Sequence, residues 1–390
     1  MNKKKLLIVA HHLTIGGVQK SLIAALKVID YEKFDVTLYL RKNRTDLLQL
    51  VDERVNVIIN DDNHHYYRKP KAILLQLLIA FFKLLNKKDK AENYNKKLSQ
   101  LIVKYTMDYE KRHFFDSQKY DIAIAYVQGY VALFTAECVN ADKKFLFYHT
   151  SVDELHDVHE RAIDKFCKVV AIHDEQKELI KEWYPQIAGR ITIVENYCDK
   201  DLIEEQSKAF SVDRPQNKTV LCSCGRFSSV KGFDLAVESA KILKEKNIQF
   251  LWYFVGDGPE RGRIEALINQ YGLQDNIVIT GMQKNPYPYM AACDIYVQPS
   301  YQEAMPLTLI EAKRLNKPMI TTDTVGGRKL VNNLIDGLVC KINSQSLAES
   351  IEALHKDSVL FDAIKNNLKN TDYSEELLNY KAQWQNLLEE

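Results

Sequence analysis

The sequence predicts an α/β protein of two domains, each with a buried parallel sheet, and three observations carry that prediction. The chain has 390 residues, too many for one ordinary domain and suited to two of roughly 170–200. Short apolar runs bounded by polar residues recur and alternate with stretches of helical period, as buried parallel strands do. Several of these runs end in glycine- or proline-containing turns just before a helix, the end of an open α/β sheet where ligands bind. Lys+Arg of 53 against Asp+Glu of 52 gives no bulk electrostatic argument for nucleic acid, so any basic surface is local. Seven cysteines, an odd number scattered without metal spacing, fit a reducing compartment.

In chain order, Lys5–Ala10 reads as the first strand. The preceding Met-Asn-Lys-Lys-Lys has the positive start of a signal peptide, but the apolar run ends at His11 and His12, too short for one. Gly16 and Gly17 then precede the helical pattern Val18–Ile29, where glycines let a backbone approach a ligand or simply make a tight turn. The full Gly-x-Gly-x-x-Gly fingerprint is absent, which counts against a nicotinamide or flavin enzyme. Phe34–Leu40 and Val55–Asn60 read as strands, followed by a helical region over Pro70–His113. Within it, 72–85 is apolar except for Gln76 and Lys83, a run shorter than the ~20 residues needed to span a bilayer. Seven Lys/Arg and one acid, Asp89, lie between Arg68 and Lys90. Two readings stand for this segment: insertion into an anionic membrane surface, or a core helix with solvated ends. Tyr120–Tyr126 and Lys144–His149 read as buried strands, with His149, Thr150 and Ser151 at the ligand end of the second. Lys168–His173 and Ile191–Glu195 complete the first half, and His173 also stands at a strand end.

Asn196–Asn217 lacks apolar periodicity, contains Pro215 and reads as the linker. Lys218–Cys224 opens the second half as a strand, with Cys222 and Cys224 on one sheet face. Gly225-Arg226-Phe-Ser-Ser-Val-Lys231-Gly232 follows, then a helix from Phe233. Arg226 and Lys231 in a strand-to-helix turn can clamp a diphosphate from two sides, the plain alternative being two solvated cations. Gln249–Val255 leads into Gly256-Asp257-Gly258-Pro259, and Asn276–Thr280 into Gly281 and Met282. Next comes the most informative stretch. A short strand, Ile295–Gln298, is broken by Pro299, Ser300 and Tyr301, and a helix opens at Pro306. The free amides of Leu307 and Thr308 make that helix start an anion site. Glu303 stands in front of it and Glu311 lies in its second turn. Phosphates at the amides with sugar hydroxyls at the carboxylates is the layout of a nucleotide diphosphate sugar. A loop carboxylate and a solvated helix residue are the alternative. Pro318–Asp323 reads as a further strand with Val325-Gly326-Gly327 after it, and helices are expected at Ser344–His355, Leu360–Asn370 and Glu375–Leu388.

Glu303-x7-Glu311, with Pro306 and Leu307 between, resembles the signature of the retaining glycosyltransferases of family 4. Gly225-Arg226-x4-Lys231-Gly232 resembles that family's diphosphate clamp. Ala304 stands where the family commonly has glycine, and Arg328 and Lys329 where relatives often carry a glutamate. The resemblance implies the GT-B fold: two Rossmann-like, doubly wound domains facing across a cleft. Residues 1–200, completed by a C-terminal helix over 372–390, would form the acceptor side, and 201–371 the nucleotide-sugar side. It also implies retaining, metal-independent hexosyl transfer from a nucleotide diphosphate sugar, expected to be a UDP-sugar, onto a glycan, lipid-linked or polymer acceptor. No resident cofactor or metal is expected. His149 and Glu303 would hold the transferred sugar. Gly16, Gly17, Arg226, Lys231, Met282, Met305, Leu307, Thr308 and Glu311 would hold the rest of the donor, Met282 at the base and Glu311 at the ribose. The leaving phosphate would take the acceptor's proton. The expected location is cytoplasmic, and peripheral on the inner face of the cell membrane if 68–90 docks there. A GT-B epimerase acting on a free UDP-sugar and a catalytically silent GT-B subunit are the competing readings.

Overall fold

A computed structural model describes residues 3–60, 68–85, 87–149, 162–303 and 305–389. The chain divides into two compact units, Met1–Glu195 with Leu378–Glu390, and Asn196–Leu377.

The first unit is built on β1 (Lys4–Ala10), β2 (Phe34–Leu40), β3 (Asn56–Ile59), β4 (Tyr120–Ala125), β5 (Ala141–Phe147), β6 (Lys168–Ala171) and β7 (Ile191–Ile193). They form one sheet in the order β3-β2-β1-β4-β5-β6-β7, parallel throughout. Leu6 to Val9 are fully buried because a parallel sheet carries helices on both faces, which leaves its central strand no wet side. The helices are α1 (Gly17–Val28), α2 (Pro70–Leu84), α3 (Lys88–Glu110), α4 (Tyr130–Cys138) and α5 (Asp174–Trp183). Strand β5 begins three residues before the sequence reading placed it and ends at Phe147. Its first half, Ala-Asp-Lys, is polar, yet Tyr120 of β4 already pairs with Ala141. His149 therefore lies just past the strand rather than in it.

The α2–α3 hairpin is tied to this sheet by a buried ion pair. Arg41, at the end of β2, reaches Glu110, the last residue of α3, with Nε and Nη2 at 3.0–3.1 Å. Asn60 donates to the same carboxylate at 3.0 Å, and the guanidinium lies 3.5 Å from the centre of the Tyr130 ring. Burial pushes the Glu110 pKa up, opposed by the charge and hydrogen bonds of Arg41.

The second unit holds β8 (Thr219–Cys224), β9 (Phe250–Val255), β10 (Ile277–Gly281), β11 (Ile295–Gln298), β12 (Met319–Thr322) and β13 (Gly337–Cys340). Their order is β10-β9-β8-β11-β12-β13, again all parallel. Around them lie α6 (Lys200–Gln206), α7 (Phe233–Glu245), α8 (Arg261–Gln270), α9 (Tyr287–Ala292), α10 (Leu307–Arg314), α11 (Val325–Leu330), α12 (Ser344–Lys356) and α13 (Ser358–Lys369). The last helix, α14 (Ser374–Glu389), begins in this unit and ends in the first. Cys222 and Cys224 are both buried, their Sγ atoms 3.6 Å apart on one sheet face. The non-periodic stretch read as linker contains α6, whose start is capped by the Asp199 carboxylate accepting from the Leu202 amide. Strand β13, four residues long and without a sequence expectation, pairs with β12.

Both units thus have the Rossmann-like α/β winding. In each, the strand order reverses once, between β1 and β4 in the first and between β8 and β11 in the second. The crevice beyond the carboxyl ends of those two strands is where such sheets take ligands.

Candidate active site

In the second unit Lys231, Glu303 and Thr308, three of the residues singled out from sequence, come together at that crevice. Strand β8 ends in Cys224 and passes into the turn carrying Arg226 and Lys231. Gly232 closes the turn with φ 64°, and a Cβ there would lie 2.0 Å from the Pro299 carbonyl oxygen. Only glycine permits so close an approach of this turn to the loop after β11. The amide of Tyr301 donates to the Val230 carbonyl at 2.8 Å, so the two loops are hydrogen-bonded as well as packed.

This fit brings Lys231 to Glu303. The ammonium donates to Glu303 Oε1 at 2.7 Å. The same oxygen accepts from Ser300 Oγ at 2.7 Å and from Gln298 Nε2 at 2.9 Å. Among the described residues Glu303 Oε2 accepts no hydrogen bond, which leaves it for a ligand hydroxyl. From the other side, the Glu303 carbonyl accepts the Gly326 amide at 2.9 Å. Gln298, buried at the end of β11, also accepts from Tyr296 OH at 3.1 Å and from Thr308 Oγ1 at 2.8 Å. Its amide therefore links the start of α10 to the Glu303 carboxylate. Its oxygen and nitrogen are assigned by these partners, two hydroxyl donors on one side and two oxygen acceptors on the other.

Helix α10 starts one residue later than expected. Pro306 is the cap, with φ −74° and an extended ψ of 103°, and Leu307 is the first helical residue. The amides of Leu307 and Thr308 have no hydrogen-bond partner among the described residues, as a helix start ready for an anion requires. Glu311 lies one turn on from Thr308. It is 1% exposed, and Tyr287 OH donates to its Oε1 at 3.0 Å. Met305 is half-buried, and Ala304 between it and Glu303 lies outside the described residues. Arg226 is exposed, and its guanidinium makes no hydrogen bond or ion pair among the described residues. Of the two expected clamp cations, one is held by a carboxylate and the other is open. Met282 follows Gly281 at the end of β10 and is exposed.

In the first unit the corresponding crevice holds a pocket of about 360 Å³, lined by His11, His12, Gln19, Tyr126, Gln128 and Tyr130 among others. Gly17 opens α1, and the Gly16 carbonyl accepts from the Lys20 amide at 3.0 Å. Gly16 has φ 178°, extended backbone that any residue adopts, so its backbone angle does not demand glycine. Arg41 Nη1 lies 3.3 Å from His11 Nδ1. Burial first, then the charges of Arg41 and Lys42, pull the His11 pKa down to about 3.

His149 stands beside this pocket on an aromatic stack. Its ring lies 4.8 Å from Tyr126 and 5.8 Å from Phe147, and Trp384 of α14 lies 5.2 Å from Phe147 at 15°. The His149 amide donates to Gln128 Oε1 at 3.3 Å, while Nε2 is buried with no partner among the described residues. Burial drives its pKa down to about 3, so the ring is neutral. Thr150 and Ser151 lie outside the described residues. His173 instead caps α5, its Nδ1 accepting from the Gln176 amide at 3.1 Å, the structural role of an N-cap.

Sequence reasoning missed Gln298, Ser300 and Tyr287 in the second unit, and His11, Arg41, Glu110 and Gln128 in the first. A glutamine closing an otherwise apolar strand was the available signal for Gln298. The string Asp199-Lys200-Asp201 has the spacing of a metal-binding Asp-x-Asp pair, and here Asp199 serves as the α6 cap.

The paired Rossmann-like sheets are those of GT-B-type proteins. HepE of Anabaena, solved in complex with UDP-glucose, matches with a TM-score of 0.70 at 18% identity, over 99% of this chain and 99% of that one. Residues 204–371, within the second unit, match the family described as Glycosyl transferases group 1. An uncharacterized glycosyltransferase of Methanocaldococcus jannaschii is 29% identical over 168 residues, 42% of this chain and 41% of that protein. The UDP-Gal:alpha-D-GlcNAc-diphosphoundecaprenol alpha-1,3-galactosyltransferase of Escherichia coli is 26% identical over 209 residues, 51% of this chain and 54% of that protein. These matches span about half, or less, of the curated relatives' length.

Proposed function

We propose that the protein is a retaining, metal-independent hexosyltransferase of the family 4 type, with Glu303 and Glu311 as its Glu-x7-Glu pair. It moves a sugar from a UDP-sugar to a glycan or lipid-linked acceptor in the cytoplasm. The observation that carries the reading is the convergence of Lys231, Glu303 and the α10 start at the β8–β11 crevice, joined through one glutamine amide. The name of the E. coli relative supports a UDP-linked donor and a lipid diphosphate acceptor class.

Departure of the diphosphate is the hard step, because negative charge grows on it while the sugar becomes oxocarbenium-like. Arg226, Lys231 and the amides of Leu307 and Thr308 supply fixed positive charge and hydrogen-bond donors for that oxygen-rich leaving group. Each such donor contributes roughly 2–4 kcal/mol in a preorganised site. Glu303 Oε2 takes a sugar hydroxyl and Glu311 the ribose; Met282 lies at the base, and Met305 is a further donor contact. In the first unit His149, neutral and with a buried Nε2, is the candidate for a sugar hydroxyl, and the Gly16–Gly17 turn for the diphosphate. The leaving phosphate accepts the acceptor's proton, and the new bond forms on the same face.

A thermal-shift screen of nucleotide sugars tests the donor, since a ligand bound only by the native chain raises its melting temperature. A UDP-sugar is expected to give a shift that Lys231→Ala and Glu311→Ala abolish together with sugar transfer. Wild-type turnover in either variant removes the proposed donor site.

A further inference from the structure

Helix α2 is apolar except for Lys71, Gln76 and Lys83, and among the described residues one of its sides is covered. Ala72 and Ile79, with Leu75 beside them, pack against Leu98, Leu101 and Ile102 of α3. At about 3.6 residues per turn, Ile73, Leu74, Leu77, Phe81 and Leu84 fall on the opposite side, within an arc of about 100°. They are exposed: Leu74 by 57%, Leu77 by 63%, Phe81 by 53% and Leu84 by 86%. A continuous outward stripe of large apolar side chains calls for a partner, unlike single exposed leucines scattered on a surface.

The charges around the stripe say which partner. Arg68, Lys69 and Lys71 precede or open the helix, Lys83 lies in its last turn, and Lys87, Lys88 and Lys90 follow it. Lys71 and Lys83 sit on the two flanks of the stripe, where long side chains bury their stems and keep the ammonium in water. None of the seven cations forms an ion pair among the described residues. A second copy is a poor occupant, because both ends of α2 are basic and either orientation of a symmetric pair sets cation against cation. The helix is about 22 Å long, at about 1.5 Å per residue. No described helix is long and apolar enough to cross a membrane. Lying in the plane of an anionic lipid surface satisfies both the stripe and the cations.

We propose that the outer face of α2 docks this protein on a bilayer of anionic lipid, with Leu74, Leu77, Phe81 and Leu84 among the acyl chains and the lysines among the headgroups. The inference stands apart from the transferase reading, since the α2–α3 hairpin contains none of the proposed donor-binding residues.

Co-flotation of the full chain with vesicles of phosphatidylcholine, alone or mixed with phosphatidylglycerol, tests it. The wild-type chain is expected to float with the mixed vesicles, at least about tenfold more than with phosphatidylcholine alone, and to be released by added salt. The exposed positions tolerate charge without unfolding, so the double variant Leu77→Asp, Phe81→Asp should melt as wild type and float at least about tenfold less. Lys69→Glu combined with Lys71→Glu and Lys83→Glu should lose the preference for the anionic vesicles. A wild-type chain that stays unbound, or an aspartate variant that floats as wild type does, overturns the proposal. So does a lipid-free dimer that the aspartate variant converts to monomer, which would make the stripe a self-interface. A chain that floats but transfers no sugar would keep this inference and remove the other.

Discussion

The amide of Gln298 uses its full hydrogen-bonding capacity inside the second unit, and that makes it the residue on which the position of Glu303 depends. Leucine at 298 would keep the volume but leave the hydroxyls of Ser300 and Thr308 short of a partner and remove a donor from Glu303. An unmade buried hydrogen bond costs about 1–3 kcal/mol, so Gln298→Leu should lower kcat about tenfold or more with little change in KM. Steady-state kinetics with the donor identified by thermal shift reads this directly, and an unchanged kcat would show that the carboxylate is held without the amide. His149 gives a second prediction. Its pKa is near 6.5 in the unfolded chain and about 3 in the folded one. As pH falls below about 6.5 the unfolded form binds the proton first, so stability is complete above that value and declines toward pH 3. The melting temperature should fall across this window, and His149→Phe should fall less steeply; parallel curves for the two would show that the ring is not buried. Lys231, Glu303 and Thr308 stand at strand ends or helix starts that local pattern marks, and the family resemblance is what singled them out there. Arg41 and Glu110, 69 residues apart, carry no local mark of their pairing.

At the scale of elements, Gly232 controls how the β8–α7 turn meets the loop after β11. Gly232→Ala would put a Cβ against the Pro299 carbonyl in a left-handed backbone. The cost is expected to be about 2 kcal/mol or more, seen as a lower urea midpoint and the loss of any UDP-sugar thermal shift. An unchanged midpoint would mean the turn relaxes freely. Most strands were legible, and β11 was placed to the residue, because fully buried parallel strands leave unbroken apolar runs. Where that signal thins, sequence reading fails. Ala141-Asp142-Lys143 pairs as strand at the wet edge of β5. Gly337–Cys340 is too short to stand out, and α6 is held by its cap and packing rather than by an apolar period.

For the whole molecule, the two-sheet α/β architecture followed from length and the alternation of apolar runs with helices, while the return of the last helix to the first unit was expected from the family resemblance alone. Trp384, 1% exposed, stacks on Phe147 and near Tyr126, so it belongs to the aromatic support beneath His149. Trp384→Ala should cost about 3–5 kcal/mol. Hydrogen exchange should show the amides of β4 and β5 losing protection while those of β8 and β9 keep theirs. Equal loss in both sets would mean that the helix supports the chain as a whole. Because 378–390 complete a unit begun at the first strand, that unit stays unfinished on the ribosome until every residue of the other has been made. Nascent chains halted before Trp384 should therefore carry Phe147 and Tyr126 uncovered, as a ready target for chaperones, while the later-made sheet is already able to close.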